Sequence, residues 1–238
     1  MTTSLDHPSF IDLRAFAAEQ PTSNPSDPFG VGRRLLPLRS GPVEAGAVDL
    51  HSGSGQVPAT AGDCWMILAE GAVTIRVDGT VQAFDPGDSW VIAAGTAFEW
   101  QAEATATILF LRYMDGTGSP VGLTPIDTAA ELTPSGAPLA ELLVGETPSC
   151  RNFTAFRSTD GTFTCGTWDS TPYHRLPMRY AHFELMYLLG GSVNFVDEAG
   201  RSRTFSDGDI FLVEQGASCS WESRETVKKV YAIYRPLS

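Results

Sequence analysis

Apolar and polar residues alternate along much of this chain with the two-residue period of half-buried strands. In AVTIRV and TVQAF (residues 72–84) the alternation runs up to and away from Asp78-Gly79, a dipeptide that fits a two-residue hairpin. The following DPGDSWVIAAG turns at Pro-Gly-Asp and feeds an apolar strand that stops at Gly95. VNFVDEAGRSRTF and SDGDIFLVEQG (residues 193–216) show the same order of strand, turn and strand. Helical periodicity is scarce. FIDLRAFAAEQ (residues 10–20) predicts one short helix, and residues 140–143 one further helical turn.

These segments belong to an internal repeat. Gly46, Asp49, Leu68 and Gly71 recur 120 positions later as Gly166, Asp169, Leu188 and Gly191. Past the first hairpin the offset is 121, matching Gly79, Phe84, Gly87, Asp88, Gly95, Trp100 and Tyr113 to Gly200, Phe205, Gly208, Asp209, Gly216, Trp221 and Tyr234. The one-residue change falls in a hairpin loop, where insertions are tolerated. Turns, strands and the following Trp all keep register, so the chain reads as two copies of one β unit, each a sandwich or barrel. The expected boundaries are an N-terminal extension (1–30), a first barrel (31–114), a turn-rich connection (115–148) and a second barrel (149–238).

Composition fits this picture: 42% hydrophobic and 18% charged residues, with 23 Gly and 16 Pro, supply a core cut by many turns. A formal charge of −12 opposes phosphate backbones and anionic headgroups, so no nucleic-acid partner is expected. No run approaches the roughly 18 apolar residues of a membrane span, and the N-terminus lacks a signal peptide's pattern. Cys64, Cys150, Cys165 and Cys219 show no CxxC spacing. The expectation is a cytoplasmic protein with reduced thiols and no membrane partner.

Glu184 followed after six residues by Gly191, then Gly208-Asp209 and Gly216, resembles the paired signatures of the cupin superfamily. Gly166-Thr-Trp168, Trp221 and the closing strand VKKVYAIYRP are similar to the ethanolamine-utilisation cupins and ureidoglycine aminohydrolase. The resemblance covers roughly residues 43–113 and 163–236. It implies an all-β protein of two tandem double-stranded β-helix (cupin, jelly-roll) barrels, with a ligand pocket inside the barrel and pairing of chains as a homodimer. The family's metal site needs two histidines six and four residues before the Glu, the Glu itself, and a histidine three residues after the second Gly. Met178, Tyr180 and Cys219 stand at three of those places in the second half, and Pro58, Thr60, Cys64 and Phe98 at all four in the first. Only four histidines exist: His7, His51, His174 and His182. No metal and no cofactor are therefore expected.

Strand parity places Tyr180, His182, Glu184, Met186 and Leu188 on one face, directed into the barrel if Glu184 keeps the family's orientation. A His182–Glu184 hydrogen-bonded pair is the first expectation. The alternative is Mn, Fe, Ni or Zn on His182, Glu184 and Cys219, joined by His174. A tuned His182–Glu184 pair could do acid–base work, and Cys219 could be a nucleophile if His182 made it a thiolate. Tyr180 and Trp221 are candidates for an aromatic wall, and Met178 completes the set of pocket residues. Cys64, Phe98 and Trp100 point to a packed first barrel or an apolar pocket there, and Asp63, adjacent to Cys64, is expected to face outward. Three functions stay open: a small-molecule-binding bicupin with its pocket in the C-terminal barrel; a hydrolase, isomerase or lyase acting on a small polar metabolite; and an assembly scaffold.

Overall fold

The computed structural model describes residues 9–19, 27–59 and 61–237. Thr60 and His7 lie outside the described residues, as does the polar stretch at 20–26.

The fold is nearly all antiparallel β, and the chain divides into two compact units. One comprises Leu13–Ile126 with Ala155–Cys165. Its larger sheet runs, in spatial order, Leu123–Pro125, Ser89–Ile92, Asp63–Glu70, Ala106–Tyr113, Val43–Leu50 and Arg34–Leu35. Its smaller sheet runs Gly53–Val57, Phe98–Ala102, Val73–Val77 and Thr80–Phe84. The alternating positions that face inward, including Val48, Met66, Leu68, Ile75, Phe84, Trp90, Ile108 and Phe110, form one buried cluster.

The other unit repeats this plan. Its smaller sheet orders Leu143–Val144, Tyr173–Arg179, Ser218–Ser223, Ser192–Val196 and Ser202–Ser206. The larger sheet carries Ile210–Val213, Phe183–Gly190 and Val227–Tyr234 side by side. Its core contains Met186, Leu188, Val193, Phe195, Phe205, Phe211 and Val227. Two packed sheets per unit, in the order found, make two jelly-roll barrels.

The repeat's matched glycines have physical causes. A Cβ at Gly46 would collide with the carbonyl of Arg34 on the edge strand, and one at Gly166 with that of Phe153. Gly71 and Gly191 both sit at positive φ (84° and 78°), facing the carbonyls of Thr105 and Thr226. The Asp78-Gly79 hairpin forms as expected, with φ of 49° and 81° and Val77 opposite Thr80.

Two local expectations change. FIDLRAFAAEQ is not one helix: Phe10–Asp12 forms a strand paired with Ile210–Val213, and only Leu13–Glu19 is helical. Phe10 is drawn into the strand because its ring packs with Phe195 and Phe205, 5.9 and 6.1 Å away, which a free helix could not offer. Asp63 turns away from the barrel interior as parity requires, yet it is fully buried. Its carboxylate accepts from the Ala94 amide (2.8 Å) and the Ser119 hydroxyl (3.1 Å), because the chain after the first barrel folds back over that face. Burial pushes the Asp63 carboxyl above its usual range, against the pull of those two hydrogen bonds.

Candidate functional site

The strand Phe183–Gly190 directs Glu184, Met186 and Leu188 inward. In the neighbouring strand Tyr231 lies opposite Met186 and Lys229 opposite Leu188, so Lys229 shares that inward face. Its ammonium donates to Glu184 Oε1 at 2.7 Å and lies 3.2 Å from Met186 Sδ. Two indoles flank it, with ring centroids 4.6 Å (Trp168) and 5.1 Å (Trp221) away. Both charged side chains are about nine-tenths buried or more. Lys229 was not among the sequence candidates. The signal was there: it shares its face of the strand with Val227, Tyr231 and Ile233, at the place held by Ile108 in the first repeat.

His182 does pair with Glu184, Nε2 to Oε2 at 3.2 Å. The other ring nitrogen, Nδ1, faces Arg235 Nη2 at 3.4 Å. A guanidinium can only donate, so Nδ1 accepts and the proton sits on Nε2, directed at Glu184. Burial alone pushes the Glu184 carboxyl up, but the Lys229 ammonium and His182 outweigh it and hold it well below the usual carboxylate range. A carboxylate so held stays ionised beside the Lys229 ammonium and the His182 ring.

Parity fails one strand earlier. In Tyr173–Arg179 the register reads Arg175 opposite Trp221 and Met178 opposite Cys219, three residues against two, so a bulge lies at Leu176-Pro177. Pro177 has no N–H to give to the ladder, and the extra residue there reverses the facing of everything before it. Arg175 consequently faces inward with Tyr180, Met178, Cys219 and Trp221, while His174 lies opposite Glu222 on the other face. His174 is thus not part of the site, and Arg175, which the sequence reading missed, is.

Arg175 Nη2 donates to the Tyr180 hydroxyl at 3.1 Å, with the guanidinium 5.4 Å from the tyrosine ring centroid. Trp221 stacks on Tyr173 (5.5 Å, 10°) and meets Trp168 edge-on (6.0 Å, 84°). The aromatic wall is therefore Tyr173, Trp221 and Trp168, with Tyr180 joined to the arginine instead. Burial pushes the Cys219 thiol up to about 12 against the influence of Arg175. His182 bonds Glu184 and Arg235, so it is not placed to make Cys219 a thiolate.

The residues present do not fit the divalent metal of ordinary cupins. Glu184 has both carboxylate oxygens engaged by Lys229 and His182, and Met178 and Tyr180 stand where the family places imidazole donors. Among the described residues no three His, Cys, Asp or Glu side chains cluster as a metal site.

The first barrel shows what these positions become when emptied of charge. Matched by the repeat, Trp168, Arg175, Glu184, Cys219 and Lys229 correspond to Val48, Gly55, Cys64, Phe98 and Ile108. All but Gly55 lie in its apolar cluster, and Gly55 leaves room for the Trp100 indole.

A jelly-roll pair with matched interiors, one apolar and one charged, defines the class: a bicupin with unequal barrels. The EutQ-like cupin domain family matches residues 157–231. A protein of unknown function of the DUF861 family from Pseudomonas syringae pv. tomato is 32% identical, with a TM-score of 0.85 over 95% of this chain and 100% of that one. A cupin 2 conserved barrel domain protein from Leptotrichia buccalis (11% identical, TM-score 0.64, 95% and 96% covered) shares the fold. So does Ylba from E. coli, of the DUF861 family (14%, 0.53, 89% and 90%). No curated protein matches. The chain belongs to the cupin superfamily, in the DUF861 family, and its C-terminal half is EutQ-like.

Proposed function

We propose that this protein is a small-molecule-binding bicupin that works without a metal, with its ligand site in the C-terminal barrel. The observation that carries this reading is the Lys229–Glu184 ion pair between two indoles. A buried charge pair adds little stability over an apolar one of the same volume, and the first barrel manages with Cys64 and Ile108 at the same places. Charged groups retained inside one barrel only are best explained by what they meet there. The Lys229 ammonium supplies beside Glu184 the positive charge that a metal ion supplies in other cupins.

Two measurements test the reading. Elemental analysis of protein purified without chelator is expected to give far less than one equivalent of Mn, Fe, Ni or Zn, and a stoichiometric metal overturns it. Thermal denaturation with small organic acids, amines and ureides is expected to reveal at least one that stabilises by mass action. Turnover of such a compound, abolished by Glu184→Gln, would instead establish an enzyme.

A further inference from the structure

Arg175 is the buried charge without a counterpart. It is 3% exposed, Nη2 is used by the Tyr180 hydroxyl, and Nη1 has no hydrogen-bond partner among the described residues. Of the other buried carboxylates of the same unit, Asp169 pairs with Arg151 and Asp197 with Arg201, and Glu214 is buried as well. Glu184 is committed to Lys229. Lys229 thus has its carboxylate in Glu184, whereas among the described residues no carboxylate is hydrogen-bonded to Arg175. An unpaired guanidinium out of water is costly, and this one stands opposite Trp221, on the same inward face as the ion pair.

We infer that Arg175 is the anion-recognition residue of the C-terminal barrel and receives the carboxylate of a small organic acid, with the Tyr180 hydroxyl beside it. The inference rests on the reading of this barrel as a ligand site and adds the ligand's chemical class. The planar guanidinium fork fits a carboxylate, and the walls of Tyr173, Trp221 and Trp168 favour a small, flat or apolar remainder. Nη1 is closed to solvent in this structure, so admitting the anion requires the side chains around it to move. That movement changes the surroundings of the stacked Tyr173–Trp221 pair, which gives an optical signal.

The full chain is titrated with acetate, propionate, pyruvate and benzoate, each beside its neutral primary amide, and with inorganic phosphate, following tryptophan fluorescence and thermal shift. At least one acid is expected to bind while its amide does not, a contrast that needs no variant. Arg175→Met should weaken that acid at least about tenfold, and Arg175→Lys should restore part of the loss, circular dichroism confirming the fold. Equal binding of acid and amide, unchanged affinity in Arg175→Met, or a response to phosphate alone overturns the inference. If amines or ureides bind and no acid does, the anion assignment fails while the binding module stands. If nothing in the wider set binds, both fail.

Discussion

Replacing Lys229 by Met removes the ammonium and leaves the stem's volume, so Glu184 is stranded at about one-tenth exposure with only His182 for a partner. Breaking one side of a buried ion pair costs about 3–5 kcal/mol. For a chain of this length each kcal/mol is worth roughly 2–4 °C in melting temperature, so a fall of about 6–20 °C is expected. The double variant Glu184→Met/Lys229→Met should recover most of the loss, since the first barrel already holds Cys64 and Ile108 at these places. The pH dependence gives the sharper test. In the wild type the Glu184 pKa is lowered on folding, so the carboxylate's contribution is complete above its unfolded value near 4.5 and is lost as pH falls below it. Without Lys229 the raising effect of burial is opposed by His182 alone. The Glu184 pKa then moves up, and the variant should gain stability on acidification from pH 7 to pH 5 where the wild type does not. Urea denaturation at each pH, read by tryptophan fluorescence, measures both. A Lys229→Met variant within about 1 kcal/mol of wild type, or a double variant no more stable than the single one, would refute the reasoning.

Other consequences are simpler. All four cysteines are buried and burial pushes Cys64 and Cys219 up to about 12, so Ellman's reagent should titrate none in the native protein and four in guanidinium; a fast native thiol contradicts this. Asp197 closes the second hairpin loop through the Ala199 and Arg201 amides and the Arg201 guanidinium. Although burial raises its pKa, those bonds lower it further. Asp197→Ala should therefore cost about 2–4 kcal/mol at neutral pH, and the gap between variant and wild type should narrow as pH falls below 4. Gly191→Ala, at positive φ against the Thr226 carbonyl, should cost at least about 1–2 kcal/mol, measured by the same denaturation.

The sequence by itself determined the two-fold repeat, most strands and hairpins, the inward face of Glu184 and the replacement of residues at the family's metal-ligand positions. Each of these is local: parity, turn chemistry and spacing are properties of short segments. Which groups would meet Glu184 was decided by the tertiary structure. Lys229 lies 45 residues away and reaches the carboxylate only because the last strand pairs in one particular register. Arg175 faces inward because a bulge at Leu176-Pro177 reverses the alternation, exchanging it for His174, and nothing in the two-residue period announces a bulge. Phe10–Asp12 became a strand because a sheet edge far along the chain had open hydrogen bonds and an aromatic cluster to offer. The charges of the site were legible as residues. Their pairing was not, since it depends on contacts between segments whose patterns carry no information about one another.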